Sequence, residues 1–397
     1  MRLRGWQKNL LLAVAATGLT LLAAEGVLRL VWHADGQHTV IRHHPVYGWA
    51  LRPRSLMHSV STGRGLDYHI QVNSLGLRDR ERSSQTSPGT QRVLFVGDSV
   101  VFGAGVEFGD RCSDQLERAL GPGVEVVNAG VSGWGTDQEY LWLTHEGWAL
   151  HPDVVVLGLC VLNDVINVML PHELFGTAPK PRFVLDSGTL RLEPVPRPTP
   201  PRPAVRVAAV LKHSRLLHFV GRHVRLLQLH TRPHPQPAPG THPLYYPEDF
   251  ESDASHWAVF RKQYTPRLES AFRVTEALVT AMRDSCAARG IPLVLFAFPN
   301  KVEVDAAARE HELAYYGYDP EMFDLGIPYA RLQTLAERLA VPFLYPVEAF
   351  ATAREPLFFA HDGHPNAAGH AVAARSLEPV LRAALDRTAE TTHATRP

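Results

Sequence analysis

The stretch Arg92–Gly105, RVLFVGDSVVFGAG, limits what this chain can fold into more than any other. Val93–Val96 is a short apolar, β-branched run of the kind found in buried strands. Gly97-Asp98-Ser99 follows at once. The glycine permits a sharp turn, and the serine is left at the carboxyl end of the strand, where open α/β sheets bind ligands. Beyond Phe102 and Gly103 a helical pattern begins, with Leu116, Ala119 and Leu120 at core spacing. Strand, tight turn bearing a serine, then helix is how a hydroxyl is presented as a nucleophile. Taken alone, Gly-Asp-Ser reads equally well as an ordinary turn with a capping serine.

The same arrangement recurs downstream. Val124–Asn128 is a second strand-like run and leads into Ala129-Gly130-Val131-Ser132-Gly133. Asp153–Leu159 is a third and ends in Cys160-Val161-Leu162-Asn163-Asp164. Near the C-terminus stands His361-Asp362-Gly363-His364-Pro365-Asn366. A serine, a glycine, an asparagine and a histidine thus each follow a strand-like run, in that order. This resembles the SGNH (GDSL-type) hydrolase superfamily, whose four blocks match Ser99, Gly130, Asn163 and His364 over roughly Val72 to Leu381. Asn73-Ser74-Leu75-Gly76-Leu77-Arg78 is similar to a segment ahead of the first block in membrane-anchored bacterial members. The resemblance implies a three-layer α/β/α sandwich with a mainly parallel, flavodoxin-like sheet. Strands alternating with helices from Arg92 to Asp164 point the same way.

A serine hydroxyl is a weak nucleophile until a base takes its proton, and His364 is the candidate base. A carboxylate should fix the tautomer of that histidine, and Asp362 is the candidate. The family more often has its acid three residues before the histidine; here that position is His361 and the acid lies two before. As the resemblance implies, the backbone N–H groups of Ser99 and Gly130 and the side-chain amide of Asn163 should meet the oxyanion. Asp98 and Asp164 adjoin these positions and read as scaffold residues, and His370 reads as structural. No cofactor or metal is expected: the three cysteines, Cys112, Cys160 and Cys286, have no metal-type spacing. Cys160 reads as a small apolar strand residue.

The N-terminus reads as a membrane anchor. Arg2, Arg4 and Lys8 precede an apolar stretch that runs from Leu10 to Trp32, interrupted by Glu25 and Arg29. The interruptions lie i,i+4 with the acid first, a spacing that allows pairing. The stretch is long enough to span a bilayer, and the leading positive charge favours a cytoplasmic N-terminus with an exported remainder. A cleaved signal peptide is the competing reading, although Leu22-Ala23-Ala24 is a poor cleavage site. Lys+Arg and Asp+Glu both number 40 in the 397 residues, so no net field argues for a nucleic-acid partner.

The rest divides by composition. Residues 1–33 form the anchor, 34–91 a lead-in segment, 92–386 the catalytic domain, and 387–397 a flexible tail. Within the lead-in, Tyr68–Val72 alternates like an edge strand or hairpin arm, and Arg78 reads as a salt-bridge residue more readily than a substrate contact. Beyond Pro171 the α/β pattern breaks, and an insertion is expected over about 171–255. It holds six prolines in Pro194–Pro203, a basic helical stretch Val205–Leu229 and a Pro- and His-rich loop His230–Pro247. Val205–Leu229, with Lys212, Arg215, Arg222 and Arg225, reads as a helical lid more readily than a membrane-surface helix. The pattern resumes with a long helix over Leu268–Arg289, a strand over Ile291–Phe298, a helix over Tyr329–Leu339, a short strand over Phe343–Tyr345, and a last helix from Ala367 to about Leu385.

Three functions are compatible with these features. The first is an exported serine esterase that removes acyl groups, acetyl above all, from a glycan or small ester. The second is an O-acyltransferase in which a sugar hydroxyl replaces water. The third is a catalytically silent glycan-binding domain, which the presence of all four block residues disfavours. The expected partners are an acylated carbohydrate or small ester and, through the N-terminal helix, the membrane.

Overall fold

The computed structural model describes residues 4–31, 40–61, 63–174, 178–196, 214, 216 and 256–394. They fall in two compact units, Met1–Gln37 with Arg197–Gln236, and His38–Pro196 with Pro237–Pro397.

In the first unit a helix runs Gly5–Val31. Its segment Gly5–Leu28 has a mean hydropathy of 1.9 and is long and apolar enough to cross a membrane, a test that a signal sequence also passes. Leu12, Leu19 and Leu22 stand about 70% exposed, so this is no core helix of a soluble domain. The Glu25 carboxylate accepts from Ser214 Oγ at 2.8 Å and from Leu216 N at 2.9 Å. The Arg29 side chain, expected to pair with Glu25, lies outside the described residues, as do nearly all of Val205–Leu229, the whole of His230–Pro247 and most of Pro194–Pro203.

The second unit begins with two antiparallel hairpins. β1 (Ile41–His44) pairs with β2 (Gly48–Leu51), and β3 (Ser55–Ser61) with β4 (Leu66–Val72). β4 alternates buried and exposed along its length, as its sequence predicts. The central sheet follows: β5 (Gln91–Gly97), β6 (Val124–Gly130) and β7 (Val154–Leu159). Next comes a hairpin, β8 (Arg182–Asp186) with β9 (Thr189–Glu193), then β10 (Leu293–Ala297) and β11 (Phe343–Leu344).

The sheet order is β11-β10-β7-β5-β6, and every pairing is parallel. Counted along the chain this is the flavodoxin-like order, and the direction of winding switches between β5 and β7. Side chains alternate across the sheet. Leu94 and Val96 pack into one core with Leu141, Leu278 and Leu335 from the helices Thr136–His145, Pro266–Ala287 and Ile327–Leu339. Val93 and Phe95 pack into a second core with Leu116 and Leu377 from the helices Cys112–Leu120 and Ala367–Ala394. Two cores, one per face, make the three-layer α/β/α sandwich.

Three elements differ from the sequence reading. The β8–β9 hairpin occupies the start of the expected insertion, and its two-residue turn has both Ser187 (φ 50°) and Gly188 (φ 83°) in the left-handed region. A helix Ala306–Tyr316 has no counterpart in the sequence pattern; it buries only Leu313, so it carries little apolar signal. The last helix continues to Ala394 through Pro379 rather than ending near Leu385, and it takes in most of the expected tail.

Candidate active site

Ser99 is the first residue of a one-turn helix, Ser99–Phe102, set directly on the end of β5. Asp98 caps it: Oδ1 accepts from Val100 N at 2.9 Å. Asp98 Oδ2 accepts from Asn163 Nδ2 at 2.6 Å and so ties the end of β7 to the end of β5. Burial holds the Asp98 carboxyl above its ordinary value, offset in part by these hydrogen bonds. Asp164 Oδ2 accepts from Cys160 N at 2.7 Å. Both aspartates tie loops together, as scaffold residues do.

The one-turn helix lies flat against the sheet because three strand-end residues have no side chain. A Cβ on Gly97 or Gly158 would stand 2.3 or 2.4 Å from Val101 Cγ2, and one on Gly130 would stand 2.2 Å from Phe102 N. Gly130 therefore serves close approach. Its N–H is donated to Asn128 Oδ1 at 3.1 Å, and it does not line the cavity beside Ser99. The Gly130 N–H that was expected to meet the oxyanion is the donor of this Asx turn at Asn128. Asn163 does line the cavity, with one amide hydrogen on Asp98 and a second left over.

His364 Nε2 stands 2.8 Å from Ser99 Oγ, and His364 Nδ1 stands 2.5 Å from Asp362 Oδ1. With Nδ1–H given to the carboxylate, Nε2 is the acceptor for the serine hydroxyl. The two-residue spacing works because Asp362 Oδ1 also accepts the backbone N–H of His364, at 2.8 Å, in a tight turn. Burial alone would raise the Asp362 carboxyl, but the hydrogen bonds and charge of His364, with Arg64 beyond, hold it at about 2. Asp362 is therefore ionised at neutral pH.

Sequence reading missed Arg64. It sits in the turn between β3 and β4, and its guanidinium donates to Asp362 Oδ2. Nothing in the local pattern of a polar Thr-Gly-Arg-Gly turn signals that role. Arg78 is also corrected: it donates to the carbonyls of Phe102, Gly103, Val106 and His69 at 2.6–2.8 Å rather than bridging to a carboxylate. Its guanidinium lies 4.8 Å from the Phe102 ring, so the lead-in segment braces the turn that follows Ser99. Cys160 stands just past β7 and lines the cavity rather than filling a strand position. His370 is buried, accepts from Cys112 N at 3.2 Å, and is held at about 3 by burial and by Arg111 and Arg78. That is a structural role.

The cavity measures about 320 Å³. Ser99, Asn163, Asp362 and His364 line it, together with Arg64, His256, Lys301 and Glu312.

Among solved structures, the chain is similar to a carbohydrate acetylesterase family member from Sinorhizobium meliloti, at 16% identity over 75% of this chain and 100% of that one, with a TM-score of 0.32. It is similar to a variant of an acetyl xylan esterase from Geobacillus stearothermophilus at 16% identity, 76% and 97% coverage and a TM-score of 0.37. It is also similar to TesA at 13% identity, 74% and 99% coverage and a TM-score of 0.38. No family model and no curated protein matches the chain.

A flavodoxin-ordered parallel sheet carries Ser99 and Asn163 at its switch point, and the loop before the last helix brings His364 and Asp362 onto the same hydroxyl. In its sheet order and in the cluster that Ser99, His364 and Asp362 build, the chain resembles the SGNH (GDSL-type) hydrolases.

Proposed function

We propose that this protein is an exported serine esterase that removes a short acyl group, acetyl above all, from a glycan or small ester. The observation that carries the reading is the unbroken relay from Ser99 Oγ through His364 to Asp362, at 2.8 and 2.5 Å. In the proposed reaction Ser99 Oγ attacks the ester carbonyl as His364 Nε2 takes its proton. The oxyanion is met by Ser99 N–H and the second amide hydrogen of Asn163, donors each worth about 3 kcal/mol of barrier. His364 returns the proton to the departing alkoxide and leaves Ser99 acylated. Water, deprotonated by His364, then releases the acid and restores the hydroxyl. A short acyl group agrees with a cavity of about 320 Å³, small for a ligand site.

We infer export as well. It is supported by Arg2, Arg4 and Lys8 ahead of an apolar helix whose leucines face outward. A reporter active only after export, fused beyond Pro397, should be active; activity from a cytoplasm-only reporter overturns it. The chemistry is tested with full-length protein in detergent on acyl esters of graded length. Turnover should fall with chain length and vanish in Ser99→Ala, while wild-type turnover by that variant removes Ser99 from the reaction.

A further inference from the structure

Two residues that take no part in the proton relay line the Ser99 cavity and pair with each other. His256 opens the short turn His256–Phe260, which is anchored by the buried Trp257 next to it. Glu312 lies on the helix Ala306–Tyr316. Glu312 Oε2 accepts from His256 Nε2 at 2.9 Å and from Trp257 Nε1 at 3.2 Å. Two N–H donors fix that oxygen in place. Glu312 Oε1 and His256 Nδ1 make no hydrogen bond among the described residues. Both side chains keep surface, 26% for His256 and 36% for Glu312.

The chemistry of this pair selects a ligand. A carboxylate oxygen accepts, and an imidazole nitrogen accepts or donates according to its proton. Neighbouring hydroxyl groups on one ring can meet both, because each hydroxyl donates and accepts. An alkyl or aryl alcohol would cover the pair and leave its polar atoms unmatched, which is costly. Charge argues the same way. Among the described residues lining the cavity, Arg64 and Lys301 stand against Asp362 and Glu312, so their formal charges balance with the histidines counted as neutral. Arg64 is committed to Asp362, and Lys301 Nζ to the carbonyls of Phe359 and Ala360 at 3.1 and 2.8 Å. A neutral ligand suits this lining better than an anion.

We propose that His256 and Glu312 form the subsite for the alcohol side of the ester, and that this alcohol is a neutral polyol with free hydroxyl groups beside the esterified one. The inference rests on Ser99 being the nucleophile, and the experiment separates the two.

Full-length protein in detergent is assayed on p-nitrophenyl acetate, whose alcohol carries no further hydroxyl, and on methyl glucosides each bearing one acetyl group. In His256→Ala and Glu312→Gln, the ratio of kcat/KM for the preferred glucoside to kcat/KM for p-nitrophenyl acetate should fall about tenfold or more, mainly through KM, the scale of one or two lost hydrogen bonds. His256→Gln, which keeps a hydrogen-bonding side chain, should retain part of the ratio and carries the test should His256→Ala not fold. A ratio that stays at the wild-type value in these variants overturns the subsite. So does a wild-type enzyme that turns over p-nitrophenyl acetate but none of the glucosides. Absence of turnover on every ester, or turnover that survives Ser99→Ala, counts instead against the nucleophile.

Discussion

Arg64, in a hairpin turn of the lead-in segment, donates to the carboxylate of Asp362 across 298 residues of sequence. The acid is almost fully buried, with its side chain 2% exposed, while the arginine is 55% exposed. One oxygen of Asp362 is taken by His364 and the other by Arg64, so the carboxylate cannot rotate away from the imidazole. The hairpin is thereby tied to the cluster of Ser99, His364 and Asp362.

Arg64→Ala should lower kcat several-fold, with Arg64→Lys between it and wild type, because an exposed ion pair contributes orientation more than energy. Its effect should also show in acid. The Asp362 carboxyl lies at about 2 in the fold against an ordinary 3.8, so its contribution to stability is full above 3.8 and is lost as pH falls toward 2. Thermal melts between pH 5 and pH 2 should show a smaller acid loss, complete at a higher pH, in Arg64→Ala. Identical pH curves for the two proteins would exclude Arg64 from holding Asp362.

His364→Ala should cost activity nearly as much as Ser99→Ala, since members of a relay act as a unit. Asp362→Asn should retain more, with a loss on the order of 10²- to 10⁴-fold, because an amide nitrogen facing Nδ1 favours the wrong tautomer without removing the base. Kinetics of both variants on one ester measure the difference. An Asp362→Asn enzyme as fast as wild type leaves Ser99 and His364 working as a dyad.

Gly130→Ala should destabilise the protein by about 1–3 kcal/mol or more, since the new Cβ meets backbone atoms that have no room to move. The contact is 2.2 Å to Phe102 N and 2.7 Å to the Val101 carbonyl carbon. Melting temperature and kcat should fall together, because the displaced turn carries Ser99. An unchanged melting temperature would falsify the packing role assigned to this glycine.

Glu139 is fully buried beneath the site, and neither carboxylate oxygen has a hydrogen-bond partner among the described residues. Burial, reinforced by Asp98 and Asp137, pushes its carboxyl well above the ordinary 4.5. The folded value is raised, so this group's contribution is fully present below 4.5 and is lost as pH rises through the folded value. Glu139→Gln removes that liability. Its melting temperature should exceed wild type by a few degrees at pH 8, with a smaller gap at pH 5, for a gain of roughly 1 kcal/mol. A gap that is equal at both pH values, or reversed, removes Glu139 as a source of alkaline instability.

How much of this was legible in the sequence differs by residue. Ser99, Asn163, Asp362 and His364, which line one cavity, could be located because each stands next to a strong local signal: an apolar strand-like run and a turn. Strand identity and the parallel, two-faced sheet followed from the same runs, since buried strands need continuous apolar residues. The outward-facing helix Gly5–Val31 was legible from hydropathy alone. What the sequence could not show depends on contacts between distant segments. Gly130 has the residue type of an oxyanion donor, and only the packing of the Ser99 turn on β6 assigned it to close approach. Arg78 carries a charge that suggested a salt bridge, yet the fold surrounds it with carbonyls. Arg64 and the pair His256–Glu312 lie in turns and on an exposed helix, where polar residues are the rule. Local sequence determines which elements form and which groups stand at their ends. The direction of a backbone N–H, and which distant side chain completes a carboxylate, are set only when the elements pack, because hydrogen bonds demand positions accurate to tenths of an ångström.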